Sequence, residues 1–442
     1  MSQGWKNAAG GLWRRGRPAA VTLGRWLVAA VVIGGLCGGI GTAFHLAVDE
    51  ATRLRGQTPW LLYLLPLAVL AIVQIYKATG TEGLGTNDVI DAVQDGKPVA
   101  LLLLPAIFIG TVLTHLTGGS AGREGAALQM GGDIGWQTGK LLRLSEHSCR
   151  TATLCGMAAF FTALFGTPLA ATLFAMMVVN VGLVFYATFL PALASSLVAY
   201  AISLALGVPP TRYTVAAPGW DLFTAARTAG LGLACALVTL LFCGVMHLAH
   251  RLLAKYLPNP WLRALAGGAA VIALTLLCGS MRYNGAGGDV IAQAVEQGQA
   301  LPLDFLFKIL FTALTLGAGY KGGEVVPSFF VGATFGCVAA PLLGLPAGFG
   351  AALGLAAVFC GATNCLVPSI VLAVELFGAP GLLYYAIACG ISYALSGYTG
   401  LYSHQTFLTD KLMPEYRAEI HPHHACAPQP GAPGESGEHQ AP

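Results

Sequence analysis

The stretch that decides the reading of this chain runs from Gly118 to Gly135, GGSAGREGAALQMGGDIG. It sets Glu124, with Arg123 beside it, in a bed of glycines between long apolar segments. An ionisable side chain is costly inside a bilayer, so one kept there is a functional candidate by default. Everything around this stretch reads as membrane sequence. Of 442 residues, 55% are hydrophobic and only 10% charged, against about 25% charged in an ordinary soluble domain.

A spanning helix needs about 20 apolar residues. The runs Trp26 to Ala47, Trp60 to Ile75, Val99 to Leu116, Leu183 to Leu206, Ala229 to Leu248 and Ala264 to Leu277 are candidates, some of them short or broken by Gly and Pro. Lys6, Arg14, Arg15, Arg17 and Arg25 precede the first run. Basic residues there favour a cytoplasmic N-terminus. The run is long and lacks a cleavage pattern, so it reads as a retained first helix of a multi-pass protein of the inner (plasma) membrane. The 11 cysteines form no CxxC and lie mostly in apolar runs; they read as small core residues. His421, His423, His424 and Cys426 cluster in a tail ending PQPGAPGESGEHQAP, whose composition reads as disordered rather than metal-binding. No zinc motif, P-loop or Ser-His context appears, so the chain does not read as an enzyme, and it implies no cofactor, metal or nucleic acid.

Glycines gather where the apolar segments break, at Gly80 to Gly85, Gly118 to Gly135, Gly285 to Gly288 and Gly317 to Gly336. Broken helices at membrane depth are tolerated where backbone is buried in protein or lines a cavity. Paired breaks in two halves of a chain point to the transport site of an inverted-repeat transporter. The breaks do pair. GREGAALQMGGDIG from Gly122 and GGEVVPSFFVGATFG from Gly322 share G-x-E, then Gly132 and Gly332, then Gly135 and Gly336. A weaker pair, TPLAATLFAMMV from Thr167 and LVPSIVLAVELF from Leu366, keeps nearly the same separation of about 200 residues. This divides the chain into a basic N-terminus (1–25), a first membrane repeat (26–207), a connection (208–221), a second repeat (222–412) and a disordered tail (413–442). Small residues that merely allow tight helix packing account for many of the glycines, but not for a Glu in both breaks.

Glycine-rich backbone leading into a helix exposes N–H groups at the positive end of the helix dipole, an anion site without a full positive charge. GLGTNDVIDAV, GREGAALQM and GGEVVPSFF all have that form. If their starts converge, Gly85, Thr86, Asn87, Gly122, Arg123, Gly125, Gly323, Val325 and Val326 surround one anion. Glu124 can then occupy that position when ionised and leave it when protonated, which couples anion movement to proton movement. The plainer alternatives are that Glu124 pairs with Arg123 or caps its own helix. Glu375 reads as a structural hydrogen bond or ion pair, His115 as structural or interfacial, and Asp304 and Lys308 as lying near a membrane boundary.

In this order the segments resemble the CLC superfamily of anion channels and anion/proton antiporters. GREGAALQ is similar to that family's G-[KR]-E-G-P region, with Ala126 in place of Pro; GGEVVP is similar to its G-x-F-x-P region; and GLYSHQTF supplies a Tyr at Tyr402. The resemblance covers about Trp26 to Leu412. It implies an all-α integral membrane protein of the CLC fold, with two inverted-topology repeats and broken helices, assembled as a homodimer in lipid. The family's chloride-contacting Ser loop is absent: GLGTNDVI stands there, with Thr86 or Asn87 nearest the Ser. This departure, with GREG and GGEV, resembles the fluoride/proton antiporter branch. The branch implies fluoride export in exchange for protons, with Glu124 as the gating and proton-carrying residue, Glu324 in inner coupling and Tyr402 lining the path. Val89 and Ala92 stand where the branch tends to place Phe. The inward Glu of the chloride/proton antiporters is replaced by Met176, Met177 and Val178. The alternative is a chloride-selective CLC channel or chloride/proton antiporter.

Overall fold

The computed structural model describes residues 2–182, 185–412 and 416–420, and the side chains among them except those of 2–20, 409 and 416–420. The first half holds α1 (Ser2–Gln57), α2 (Leu65–Ala78), α3 (Thr86–Asp95), α4 (Leu103–Thr117), α5 (Glu124–Leu141), α6 (Glu146–Phe165), α7 (Pro168–Met177) and α8 (Tyr186–Ala205). The second holds α9 (Leu222–Tyr256), α10 (Pro260–Cys278), α11 (Gly288–Glu296), α12 (Asp304–Gly317), α13 (Val325–Ala339), α14 (Ala347–Thr363), α15 (Leu366–Phe377) and α16 (Leu382–Leu395). No helix or strand lies between α8 and α9. Helix starts follow local chemistry: Asp221 accepts from Phe223 and Thr224 N–H at 2.9 Å to begin α9, and Asn259 accepts from Trp261 N–H at 2.9 Å to begin α10.

The two halves repeat one packing plan. α5 lies on α6 as α13 lies on α14; α1 packs on α8 as α9 packs on α16; α3 and α4 meet α5 as α11 and α12 meet α13. Across the halves, α2 meets α10, α7 meets α15, and α5 meets α13. The tightest contacts are glycine stripes. A Cβ on Gly156 would sit 1.9 Å from the carbonyl oxygen of Gly131, and one on Gly135 2.1 Å from that of Ala152. In the second half a Cβ on Gly332 would sit 2.3 Å from the oxygen of Gly354, and one on Gly336 2.1 Å from that of Gly350. Lipid tails are as apolar as leucine, so close backbone contact is what holds helices together in a bilayer.

The described residues contain seven helical stretches long and apolar enough to cross a membrane. Three of the six runs read from the sequence, those in α1, α9 and α10, fall within such stretches, Trp60 to Ile75 lies in a fourth, Pro59–Ala78, and Leu183 to Leu206 overlaps a fifth, Tyr186–Ala205. Val99 to Leu116 is different: α4 covers 15 residues and is too short to cross alone. Two spanning stretches were not apparent as apolar runs, Glu146–Phe165 and Val325–Leu343, 83% and 72% of whose windows are buried. They face protein rather than lipid, so they carry Thr, Ser and Gly.

A small sheet adds to the helices. β1 (Asn180–Val181) pairs in parallel with β2 (Thr406–Thr409), and β2 pairs antiparallel with β3 (Tyr416–Ile420). Within the tail expected to be disordered from 413, Tyr416–Ile420 is a strand, because backbone pairing with β2 supplies hydrogen bonds that composition does not reveal. His421, His423, His424 and Cys426 lie outside the described residues. Of the ten described cysteines, nine are buried and Cys278 partly so; all are free thiols.

Replacing Gly156 or Gly354 by Val forces helix pairs apart at a backbone contact and is expected to destabilise the fold by about 1–3 kcal/mol or more. Gly35, where a Cβ would meet nothing within 4 Å, is the control: Gly35→Ala leaves thermal unfolding in detergent unchanged while the other two lower its midpoint.

Candidate functional site

α5 and α13 begin at the same place. Gly122 N–H donates to the carbonyl of Gly323 at 2.7 Å, and Gly323 N–H donates back to Gly122 at 2.7 Å. A Cβ on Gly323 would lie 2.3 Å from the nitrogen of Gly125, and one on Gly322 2.5 Å from Cβ of Ala121. The two loops therefore cross with bare backbone against bare backbone. The bridge also fixes how the halves correspond. Arg123 and Glu324 are the two N-cap residues, and Glu124 and Val325 the two first helical residues. The sequence register that matched Glu124 with Glu324 is thus one residue out. The repeated G-x-E pattern is a coincidence of spelling, and the pseudo-symmetric mate of Glu324 is Arg123.

On one side of the bridge lies a vestibule of about 310 Å³, lined by the end of α1, Arg123, Glu124, the Gly287–Gly288 loop and Val326. Glu124 is fully buried at its base. Its Oε2 accepts from the N–H of Arg123 at 2.9 Å and from the N–H of Val326 at 3.4 Å. Oε1 has no hydrogen-bond partner, and Nε of Arg123 stands 3.9 Å from it. Arg123 is instead committed to Asp49, with Nη1 2.8 Å from Oδ1. The carboxylate lies over the starts of α5 and α13 together, on N–H groups that suit an anion. Glycine leaves room for it there: a Cβ on Gly122 would stand 2.4 Å from Oε2, so a larger residue displaces the carboxylate. The pairing and capping alternatives are both partly realised, but by backbone N–H of two helices rather than by a tight Arg123 pair.

On the other side lies a vestibule of about 620 Å³, lined among others by Gly85, Thr86, Asn87, Gly125, Gln129, Gly323, Glu324 and Tyr402. Tyr402 is buried and its hydroxyl has no partner. The Thr86 hydroxyl accepts from Nε2 of Gln129 at 3.1 Å and approaches the Gly125 carbonyl at 3.5 Å. Asn87 donates through Nδ2 to the Ser403 hydroxyl at 2.9 Å. Asp88 accepts from Gly85 N–H at 2.7 Å and so fixes the start of α3. The Tyr402 loop is held from several directions: Leu401 N–H to Ala362, Gln405 to the carbonyls of Val178 and Thr363, and Asn364 Nδ2 to Gln405.

The residues expected around a single anion therefore divide. Gly85, Thr86, Asn87, Gly125, Gly323, Glu324 and Tyr402 open to the larger vestibule; Arg123, Glu124 and Val326 open to the smaller. Gly122 lies under the carboxylate, and Val325 is fully buried and lines neither. Val89 and Ala92 are buried too, Val89 packing against Gly132. Glu375 accepts from Ala170 and Leu169 N–H at 2.8 and 3.3 Å and so caps α7, a structural role. Asp304 and Lys308, expected at a membrane boundary, are fully buried in protein: Asp304 pairs with Arg282 at 2.8 Å, and Lys308 donates to the Gly285 carbonyl at 2.6 Å. The sequence reading missed Gln129, Arg55 and the basic rim of the larger vestibule, His250, Arg251 and Lys321. Gln129 was findable as the lone amide in an apolar turn shortly after Glu124; the others come from distant segments.

Two inverted repeats whose broken helices meet between two vestibules define an ion-transporting membrane protein. A family model described as voltage gated chloride channel matches residues 67–397. Over 87% of this chain and 86% of its own length, a chloride/fluoride channel protein of Pseudomonas syringae pv. tomato is 37% identical. An H(+)/Cl(-) exchange transporter ClcA of Vibrio parahaemolyticus is 25% identical over 89% of this chain and 93% of its own. A crystal structure of a CLC-type fluoride/proton antiporter superposes with a TM-score of 0.84 at 33% identity, covering 87% of this chain and 98% of that one. The chain belongs to the voltage-gated chloride channel (CLC) family.

Gly122→Ala tests the close fit beneath the carboxylate. A structure of the variant is expected to find the Glu124 side chain turned up into the smaller vestibule, and an unmoved carboxylate would refute the fit.

Proposed function

We propose that this protein exports fluoride from the cytoplasm in exchange for protons. The observation that carries the reading is the Glu124 carboxylate, seated on N–H groups of two helix starts at the one point that separates two vestibules. An acid there competes with an anion for the same donors. When ionised it fills the position; when protonated it loses its hold and an anion replaces it. Each exchange of one for the other ties anion movement to proton movement.

Sidedness follows from charge. Lys6, Arg14, Arg15, Arg17 and Arg25 lie at the start of α1, and the end of α1 lines the smaller vestibule through Asp49 and Arg55. With basic residues on the cytoplasmic side, the smaller vestibule opens outward and the larger one inward. α9 agrees, since His250 and Arg251 near its end line the larger vestibule. Fluoride then approaches past Glu324, Thr86 and Tyr402. It is small and strongly hydrated, so its path needs hydrogen-bond donors in place of water. Backbone N–H groups, the Thr86 hydroxyl and the unpartnered Tyr402 hydroxyl are such donors. Glu324, which lines the larger vestibule, takes the inner coupling role, since Met176 and Met177 provide no carboxylate in the segment that would otherwise carry one. Protonated fluoride crosses membranes uncharged and dissociates in a neutral cytoplasm, so a cell that meets it needs export. The protein works as a homodimer in the plasma membrane with one pathway per subunit.

Chloride transport is the second reading, favoured by the 25% identity to a relative whose name gives proton/chloride exchange. Efflux from proteoliposomes with pH recorded separates the two. The parent is expected to release fluoride with matched proton uptake and to move little chloride. Glu124→Gln is expected to abolish proton uptake, and Tyr402→Phe to slow fluoride efflux about tenfold, as loss of one hydrogen bond to a charged group implies. Comparable chloride and fluoride fluxes in the parent would assign the second reading.

A further inference from the structure

We infer that the smaller vestibule holds a second small-anion site, apart from the position of the Glu124 carboxylate, built from the Arg55 guanidinium and the glycine start of α11. The inference rests on the proposed function for its ligand, fluoride on its way out.

Arg55 lies in the last turn of α1 and is only 8% exposed. Its Nη1 donates to the carbonyl of His115 at 2.7 Å. The other arginines of this vestibule are paired, Arg123 with Asp49 and Arg282 with Asp304, each at 2.8 Å. Among the described residues Arg55 has no carboxylate within ion-pair distance. Its charge is offset only through space, by the exposed Asp289; a nearly buried charge so weakly balanced is costly, and an anion in the vestibule lowers that cost. Space for the guanidinium is made by Gly285, where a Cβ would lie 2.8 Å from Nη1 and 2.9 Å from Nη2.

α11 presents its start to the same vestibule through Gly287 and Gly288. Gly287 is the N-cap, and no side chain caps the helix. Its first N–H groups therefore have no intrahelical partner and favour an anion. A third group points to an ordered, hydrated ligand. His115 is fully buried and lines the vestibule, and its Nε2 has no partner. Nδ1 donates to the Thr111 carbonyl at 2.9 Å, so Nε2 carries the bare lone pair. A water bound to the anion donates its second hydrogen there. Asp289, exposed in the first turn of α11 and lining the same vestibule, repels an anion and weakens the site. A site tuned this way stages an ion that has left the Glu124 position without trapping it.

The test is calorimetric titration of sodium fluoride into the purified, detergent-solubilised protein in halide-free buffer. The parent is expected to show two classes of site. Arg55→Gln is expected to weaken one class at least about tenfold, the loss of a charged hydrogen-bond donor; Arg55→Lys keeps it within a few-fold, and Asp289→Asn tightens it. A single class in the parent overturns the site, as does an isotherm that neither Arg55→Gln nor Asp289→Asn alters. If Arg55→Gln fails to fold, Asp289→Asn decides alone: tightening supports the site and no change refutes it. Binding is read without transport, so absent fluoride efflux from parent proteoliposomes overturns the proposed function and leaves the isotherm to judge the site.

Discussion

The reciprocal pair of hydrogen bonds between Gly122 and Gly323 is the constraint on which the rest of the structure depends. Two backbones can meet that closely only where neither carries a side chain, and a Cβ on any of Gly122, Gly125, Gly322 or Gly323 would meet an atom within 3.0 Å. The bridge satisfies polar backbone that would otherwise be stranded at membrane depth. It also forces the starts of α5 and α13 together, and so concentrates unsatisfied N–H groups at one point. The glycine stripes between α5 and α6 and between α13 and α14 then hold each of these helices against its own half. Packing and chemistry are thus one arrangement, because the residues that permit close approach also leave the donors bare.

The buried carboxylate follows from that concentration of donors. Isolated in an apolar interior, Glu124 would be costly to ionise. Set across two helix starts, it finds hydrogen bonds from Arg123 and Val326 with an arginine side chain nearby. One of its oxygens nevertheless lacks a partner, so it is held and not locked. The larger vestibule has the complementary character, with the Tyr402 hydroxyl, Asn87 Oδ1 and Gln129 Oε1 all short of partners. Polar atoms left unsatisfied in a well-packed protein mark places where something else binds or passes.

Much of this fold was legible because its constraints act locally. Apolar length gave the spans of α1, α8, α9 and α10, and the glycine clusters gave the breaks. What escaped depended on distant contacts. α6 is the least apolar of the spanning stretches because it is buried among other helices, the start of α13 lies in a glycine cluster that reads as a break, and β3 is visible only through its pairing with β2. At the candidate site, short motifs pointed to Glu124, to Thr86 or Asn87, and to Tyr402. Their division between two vestibules was not legible there, since it turns on which side of a backbone bridge each residue faces. The register error at Glu324 has the same origin: identical letters in two loops outweighed a one-residue difference in where the helices begin.

The pairing of Arg123 with Glu324 has a consequence for the molecule as a whole. Had the halves carried the same side chains at matched positions, a pseudo-twofold axis in the membrane would present the same chemistry to both aqueous phases. Instead Arg123 stands on one face where Glu324 stands on the other, and the acid at the crossing belongs to a single half. Duplication built a framework with no preferred face, and different side chains at matched positions gave it a front and a back.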